Sequence, residues 1–143
     1  MPQLTLDLAN GIIAVAFATA AKAGMKPLSV AVLDAGGHLV AFQKQDGSSM
    51  LRFEIASGKA YGALAVGMGS RWLNNTAIER PHFIEGLSAV SGGRIVPVPG
   101  GVLVRTVGGD LVGAVGITGD TSDNDEACAV AGIVAAGLVA DAG

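Results

Sequence analysis

The 143-residue chain carries nine Lys and Arg against twelve Asp and Glu, a formal net charge of −3, and half of its residues are hydrophobic. That balance leaves no electrostatic footprint for nucleic acid or an anionic membrane, and the longest apolar run, 127–140, is only about 21 Å long as a helix, too short for a bilayer core. With 15% charged residues, 22 glycines, one Trp and one Tyr, the chain reads as one domain over 1–143 whose small-residue faces pack closely and extend into a homo-oligomer.

In chain order, Thr5 is placed to cap a first helix with Asp7 in its first turn and a stripe of Leu8, Ile12, Val15 and Thr19, which Lys22, Gly24 and Pro27 then stop. The apolar stretch 11–21 follows Asp7 and no basic residue, so it reads as a mature helix rather than a secretory leader. With a lone Cys128, which excludes an intrachain disulfide and reads as a small core residue, this leans toward a cytoplasmic protein.

A hairpin follows: Ser29 to Asp34, a turn at Gly36-Gly37, and His38 to Lys44. Asp46-Gly47-Ser48-Ser49 is a turn that can also cap the next helix, about Met50 to Met68, with a stripe of Leu51, Ile55, Gly58, Gly62 and Ala65. Arg52 and Lys59, seven residues apart, project from one flank of it. Ser70 starts a third helix that Arg80-Pro81 interrupts, and Pro81 suits the first position of another turn or two, His82 to Leu87. Gly92 to Gly101 reads as a strand and loop confined to an edge by Pro97 and Pro99.

A second hairpin joins Val102–Val107 to Leu111–Ile117 through Gly108-Gly109. Aligned on the glycine pairs, LDAGGHLVA faces RTVGGDLVG, so two similar hairpins are expected to meet in one sheet. An acidic loop, 119–126, then leads into a last helix, Glu126 to Asp141, capped by Ser122 or Asp123. Strands joined by hairpins with helices before, between and after them define an α+β domain built on an antiparallel sheet.

Several residues carry possible chemistry. Asp120, Asp123, Asp125 and Glu126 are hard-cation donors, but their spacing lacks the alternation and glycine of a calcium loop, so no metal site is assigned. Gly119 lets the backbone approach a ligand, with the loop amides facing it. His82, at the helix break, suits general acid/base work or iron ligation, whereas His38 sits beside a turn where a polar residue is ordinary. Arg52 and Lys59, joined by Arg71, Arg80 or Arg94, suit a carboxylate-bearing ligand. Met50, Met68 and Tyr61 read as core rather than haem ligands. The chain has no Gly-x-Ser-x-Gly, Cys-x-x-Cys, His-Glu-x-x-His or phosphate-loop motif.

Taken together, VAVLDAGGHLVAFQKQDG, EIASGKAYGA and PGGVLVRTVGGDLVGAVGITGDTSDNDEACAVAGI resemble the GlcG/HbpS-like family of haem-binding-protein-like domains, which also supplies the C-terminal domain of PduO-type cobalamin adenosyltransferases. The resemblance implies a profilin-like three-layer α/β/α fold with a five-stranded antiparallel sheet, assembled into dimers or larger symmetric oligomers. It implies haem or a corrin-related ligand in some members, and Asp46, Lys59, Gly100, Gly101, Gly119, Asp125 and Glu126 occupy family motif positions.

Two functions from different classes follow. The first is a small-molecule-binding protein, with haem or another tetrapyrrole as the implied ligand at a subunit interface. Its candidate ligand-binding residues are Arg52, Lys59, Arg80, His82, Gly119 and Asp120. The alternative is a cofactor-free isomerase, tautomerase or lyase acting on a small carboxylated metabolite, in which Arg52 and Arg80 orient the carboxylate and His82, Lys59 or Asp120 moves the proton. A third, structural reading has Lys59 and the acidic loop bracing the oligomer. No constellation in the sequence compels a reaction.

Overall fold

The computed structural model of the chain describes residues 3–143. The elements run α1 (Leu6–Lys22), β1 (Ser29–Asp34), β2 (Leu39–Lys44), α2 (Arg52–Val66), α3 (Ser70–Glu79), α4 (Pro81–Val90), β3 (Gly101–Arg105), β4 (Leu111–Thr118), α5 (Ser122–Ala135) and β5 (Val139–Asp141). The strands form one five-stranded sheet in the order β2-β1-β4-β3-β5, every pairing antiparallel.

The alternation of side chains along the strands sorts the core into two halves. Val30, Val32, Val102, Val104, Val115 and Ile117 face α1 and α5, and Leu33, Leu103 and Ala114 face Ala60 and Ala63 of α2. The result is the three-layer α/β/α arrangement that the resemblance implies, with α3 and α4 extending the α2 layer over Leu73, Ile84 and Ile95.

Small residues set the layer spacing. A Cβ on Gly116 would fall on the carbonyl oxygen of Ala56, and one on Gly101 would fall on that of Lys59, so α2 rests with its backbone directly on β3 and β4. On the opposite face, a Cβ on Gly132 of α5 would lie 2.6 Å from the carbonyl oxygen of Ile12. That approach turns α1 relative to the stripe expected from its larger side chains: Ala9, Ile12, Ile13, Ala16 and Ala20 are buried, while Leu8, Val15 and Thr19 lie at the margin. In α2, likewise, Leu51 and Ala65 are exposed, and Ala56, Gly58, Lys59, Ala60, Gly62 and Ala63 form the buried face.

Thr5 caps α1 by accepting the Leu8 amide at 3.2 Å, and Pro81 occupies the first turn of α4 after the break at Arg80. The two hairpins are equivalent and meet at the β1–β4 pairing. Their turns differ from the two-residue primed form expected for a Gly-Gly pair. In each, the second glycine alone takes positive φ (Gly37, +83°; Gly109, +96°), its amide donates to Asp34 or Thr106, and a three-residue loop with a glycine bulge results. A side chain locks each turn, Asp34 accepting the Gly36 and His38 amides and Thr106 accepting the Asp110 amide.

Three further expectations are corrected. Residues 92–100 contain no strand, because Pro97 and Pro99 have no amide to donate and the Val96 amide donates instead to Gly58 of α2, at 3.2 Å. The fifth strand is β5, since α5 ends at Ala135 rather than running to Asp141. Gly137, at φ +77°, turns the chain out of the helix and lays 139–141 along β3. Finally, Thr121 caps α5 in place of Ser122 or Asp123, its hydroxyl accepting the Asn124 amide at 3.2 Å. Among the described residues, no helix is long and apolar enough to cross a membrane.

Candidate functional site

The acidic loop closes over a buried ion pair. Lys59 lies on the α2 face pressed against β3 and β4, and its Nζ donates to the Ile117 carbonyl at 2.8 Å and to Asp125 Oδ2 at 3.1 Å. The two side chains are 2% and 1% exposed. Asp125 Oδ1 accepts the Asp120 amide at 3.0 Å, so the carboxylate is bonded on both oxygens. Burial holds the Lys59 ammonium below the ordinary lysine value and the Asp125 carboxyl above the ordinary aspartate value, and each partner's charge offsets part of that effect. Gly100 is required beside this pair, because a Cβ there would meet Lys59 Nζ at 2.9 Å.

Of the six residues that the sequence singles out for a ligand, four gather here. Arg52 donates to Thr118 Oγ1 at 2.7 Å and to Ser49 Oγ at 2.9 Å, next to the Lys59 layer. Gly119, at φ +142°, has no room for a Cβ beneath the Pro27 carbonyl. Asp120 accepts the Lys26 amide and the Asn124 side-chain amide, and these hydrogen bonds, that of Asn124 foremost, bring its carboxyl down to about 2. Three of the loop amides are engaged internally, that of Asp120 by the Asp125 carboxylate and those of Asn124 and Asp125 by the Thr121 hydroxyl and carbonyl. The other two, Arg80 and His82, lie at the exposed α3–α4 junction, Arg80 over the Phe83 ring at 4.7 Å. No hydrogen bond or ion pair joins them to the Lys59 cluster among the described residues, so Arg80 and His82 stand apart from the Arg52, Lys59 and Asp120 group.

The remaining candidates have structural partners. Arg71 ties α3 to α5 through a two-pronged contact with Glu126 and a bond to Asp123, which raises its already high pKa further. His38 is paired with Asp34 at 3.3 Å on the rim of a different groove. Cys128 is fully buried against Met25, and burial pushes its thiol up to about 11. No group of three or more His, Cys, Asp or Glu is arranged to hold a metal ion among the described residues.

A cleft of 550 Å³ opens on the other side of α2 from this cluster. One wall is the helix face presenting Phe53, Ser57 and Tyr61, four residues apart and therefore aligned. Leu33, Gly37 and Leu39 of the first hairpin form the floor, and Gly93, Arg94 and Val96 form the second wall. Gly58 sets its width: a Cβ there would meet Val96 Cγ2 at 2.5 Å and the Arg94 carbonyl at 2.7 Å. Phe42 of β2 holds Phe53 edge-on, with ring centroids 4.9 Å apart.

The cleft is largely apolar, with Arg94 at one corner and the exposed Glu54 at its mouth. Arg94 donates to the Tyr61 hydroxyl at 2.8 Å, lies 4.2 Å over the Tyr61 ring, and has no carboxylate partner among the described residues. The Ser57 hydroxyl is buried with no hydrogen-bond partner. At the mouth, Leu39 and Leu51 remain 51% and 58% exposed. Two other grooves have similar volumes, 590 and 540 Å³, but the first is lined by short and polar residues such as Ala20, Gln45 and Asp46, and the second mixes Leu4 and Val112 with Gln3, Asp34 and His38. Sequence reasoning missed this cleft. Its signal was the Phe53–Ser57–Tyr61 spacing on a helix whose opposite face is already filled by alanine and glycine.

An antiparallel sheet between α1/α5 and α2 defines a profilin-like three-layer sandwich, here with an apolar cleft against the first hairpin. The chain matches the family described as "Haem degrading protein HbpS-like" over residues 4–134 and belongs to that family. An uncharacterized 15.0 kDa protein of the dhaT-dhaS intergenic region of Citrobacter freundii is 30% identical over 99 residues, 69% of this chain and 68% of that protein. Among solved structures, a complex of PduOC with heme superposes with a TM-score of 0.85 at 23% identity, covering 96% of this chain and 97% of that one. A double mutant of Streptomyces reticuli HbpS superposes at 0.79 with 26% identity, covering 94% and 88%.

Proposed function

We propose that this protein binds a small planar ligand, haem or a related tetrapyrrole, in the cleft between α2, the first hairpin and residues 93–96. The observation that carries the reading is the pairing of a largely apolar slot with a cation at its edge, Arg94, that has no carboxylate partner among the described residues. Tetrapyrroles combine a broad apolar plane with peripheral carboxylates, and a cleft of this size is within the roughly 300–1,000 Å³ usual for small-molecule sites. Family membership and the relative whose structure is a heme complex support the same ligand class.

The residues present fit the body and the carboxylate of such a group. Phe53, Leu39 and Val96 would cover the ring faces, Arg94 would hold a carboxylate, and the unpartnered Ser57 hydroxyl would find an acceptor or donor on the ligand. When bound, haem would bring a redox-active iron, and this chain's part is to shield the plane from water. The exposed Leu39 and Leu51 at the mouth suit coverage by a second copy, which would complete the site at a subunit interface.

Haemin titration followed at the Soret band tests the reading. Wild-type protein is expected to saturate, and Phe53→Asp, a charge placed in the apolar wall, is expected to weaken binding at least tenfold while His82→Ala leaves it unchanged. Saturation unaffected by Phe53→Asp would move the ligand elsewhere.

A further inference from the structure

We infer that the cleft recognises a tetrapyrrole by its apolar plane and its carboxylate and not by its metal, so an iron-free porphyrin binds as tightly as haem. The inference rests on the cleft being the tetrapyrrole site. It comes from the lining itself.

Iron held in a porphyrin draws its protein bond from an imidazole, thiolate, thioether or phenol oxygen aligned with the ring normal. None of the residues lining the cleft is a His, Cys or Met. His38 is turned away onto Asp34 and borders another groove. His82 stands on α4, outside the cleft, and Cys128 with its neighbour Met25 belongs to the core on the opposite face of the sheet. Met50 precedes the mouth residue Leu51 but is 86% exposed and outside the lining.

Tyr61 is the one phenol, and it is already committed. Its hydroxyl accepts a hydrogen bond from Arg94, whose guanidinium also covers the ring at 4.2 Å. The arrangement makes a single rigid unit that presents positive charge at the cleft edge, which suits a carboxylate at the ligand's periphery rather than a metal at its centre. The one carboxylate in the lining, Glu54, is exposed at the mouth.

The prediction is measured with haemin and with iron-free protoporphyrin IX, each titrated into the full-length protein by quenching of the Trp and Tyr emission. Dissociation constants within threefold of one another are expected, and that ratio is expected to be kept in Tyr61→Phe, where loss of the hydroxyl that holds Arg94 shifts both affinities alike. Protoporphyrin dimethyl ester, which has no free carboxylate, is expected to bind wild-type protein at least fivefold more weakly than the free acid, and Arg94→Gln is expected to remove that difference. A tenfold or greater preference for haemin, whether lost in Tyr61→Phe or in a histidine variant acting from a second copy, overturns the inference while leaving the cleft as the site. Equal binding of acid and ester to wild-type protein overturns the carboxylate half. Failure of both porphyrins to bind overturns the tetrapyrrole reading itself and this inference with it.

Discussion

Lys59 shows how far a single residue can be read. Its place among Gly58, Ala60 and Gly62 leaves little to carry it to solvent, and the structure buries it; what the sequence could not show is that Asp125, 66 positions later, meets it across the end of β4. The pair costs desolvation on both sides and is held by the additional bonds to Ile117 and Asp120. Lys59→Met leaves Asp125 buried and unpaired and is expected to cost about 3–5 kcal/mol by urea denaturation. The double variant Lys59→Met with Asp125→Leu is expected to recover part of that loss, since the uncompensated charge is gone while the Asp120 amide still lacks its acceptor. A single variant as stable as wild type would show that the pair is not what ties α2 to α5.

At the scale of elements, what was legible followed local chemistry. Thr5, Pro81 and the two Gly-Gly hairpins are written in caps and turn residues, and they stand where the sequence puts them. The misread strands are those decided by distant partners, whereas the turn type and the Thr121 cap of α5 were misread locally. β5 lies within an apolar run that continues a helical pattern until Gly137, and only the free edge of β3 makes it a strand. Residues 92–100 alternate well enough for a strand, yet their amide goes to the backbone of α2. The cleft was hidden for the same reason, because its second wall is this irregular segment. Direct backbone contact between α2 and the sheet makes the glycines at that seam intolerant: Gly116→Ala would drive a methyl into the Ala56 carbonyl. An overpacking loss of about 1–3 kcal/mol is expected, read as a lower thermal midpoint; an unchanged midpoint would mean that α2 can lift from the sheet freely.

For the whole molecule, the two faces of α2 divide the labour. The face toward β3 and β4 is closed, with Lys59 paired to Asp125 inside it. The opposite flank is left open and apolar beside Arg94, which has no carboxylate partner among the described residues. That asymmetry explains why the acidic loop, which dominates the sequence, is part of the scaffold, and why the ligand site is sought on residues that carry no motif. The most direct measurement is a structure of the protein crystallised with haemin. The account predicts the tetrapyrrole plane between Phe53 and Val96, with a carboxylate on Arg94. A tetrapyrrole bound instead at His82 or over the Gly119-Asp120 loop would contradict it.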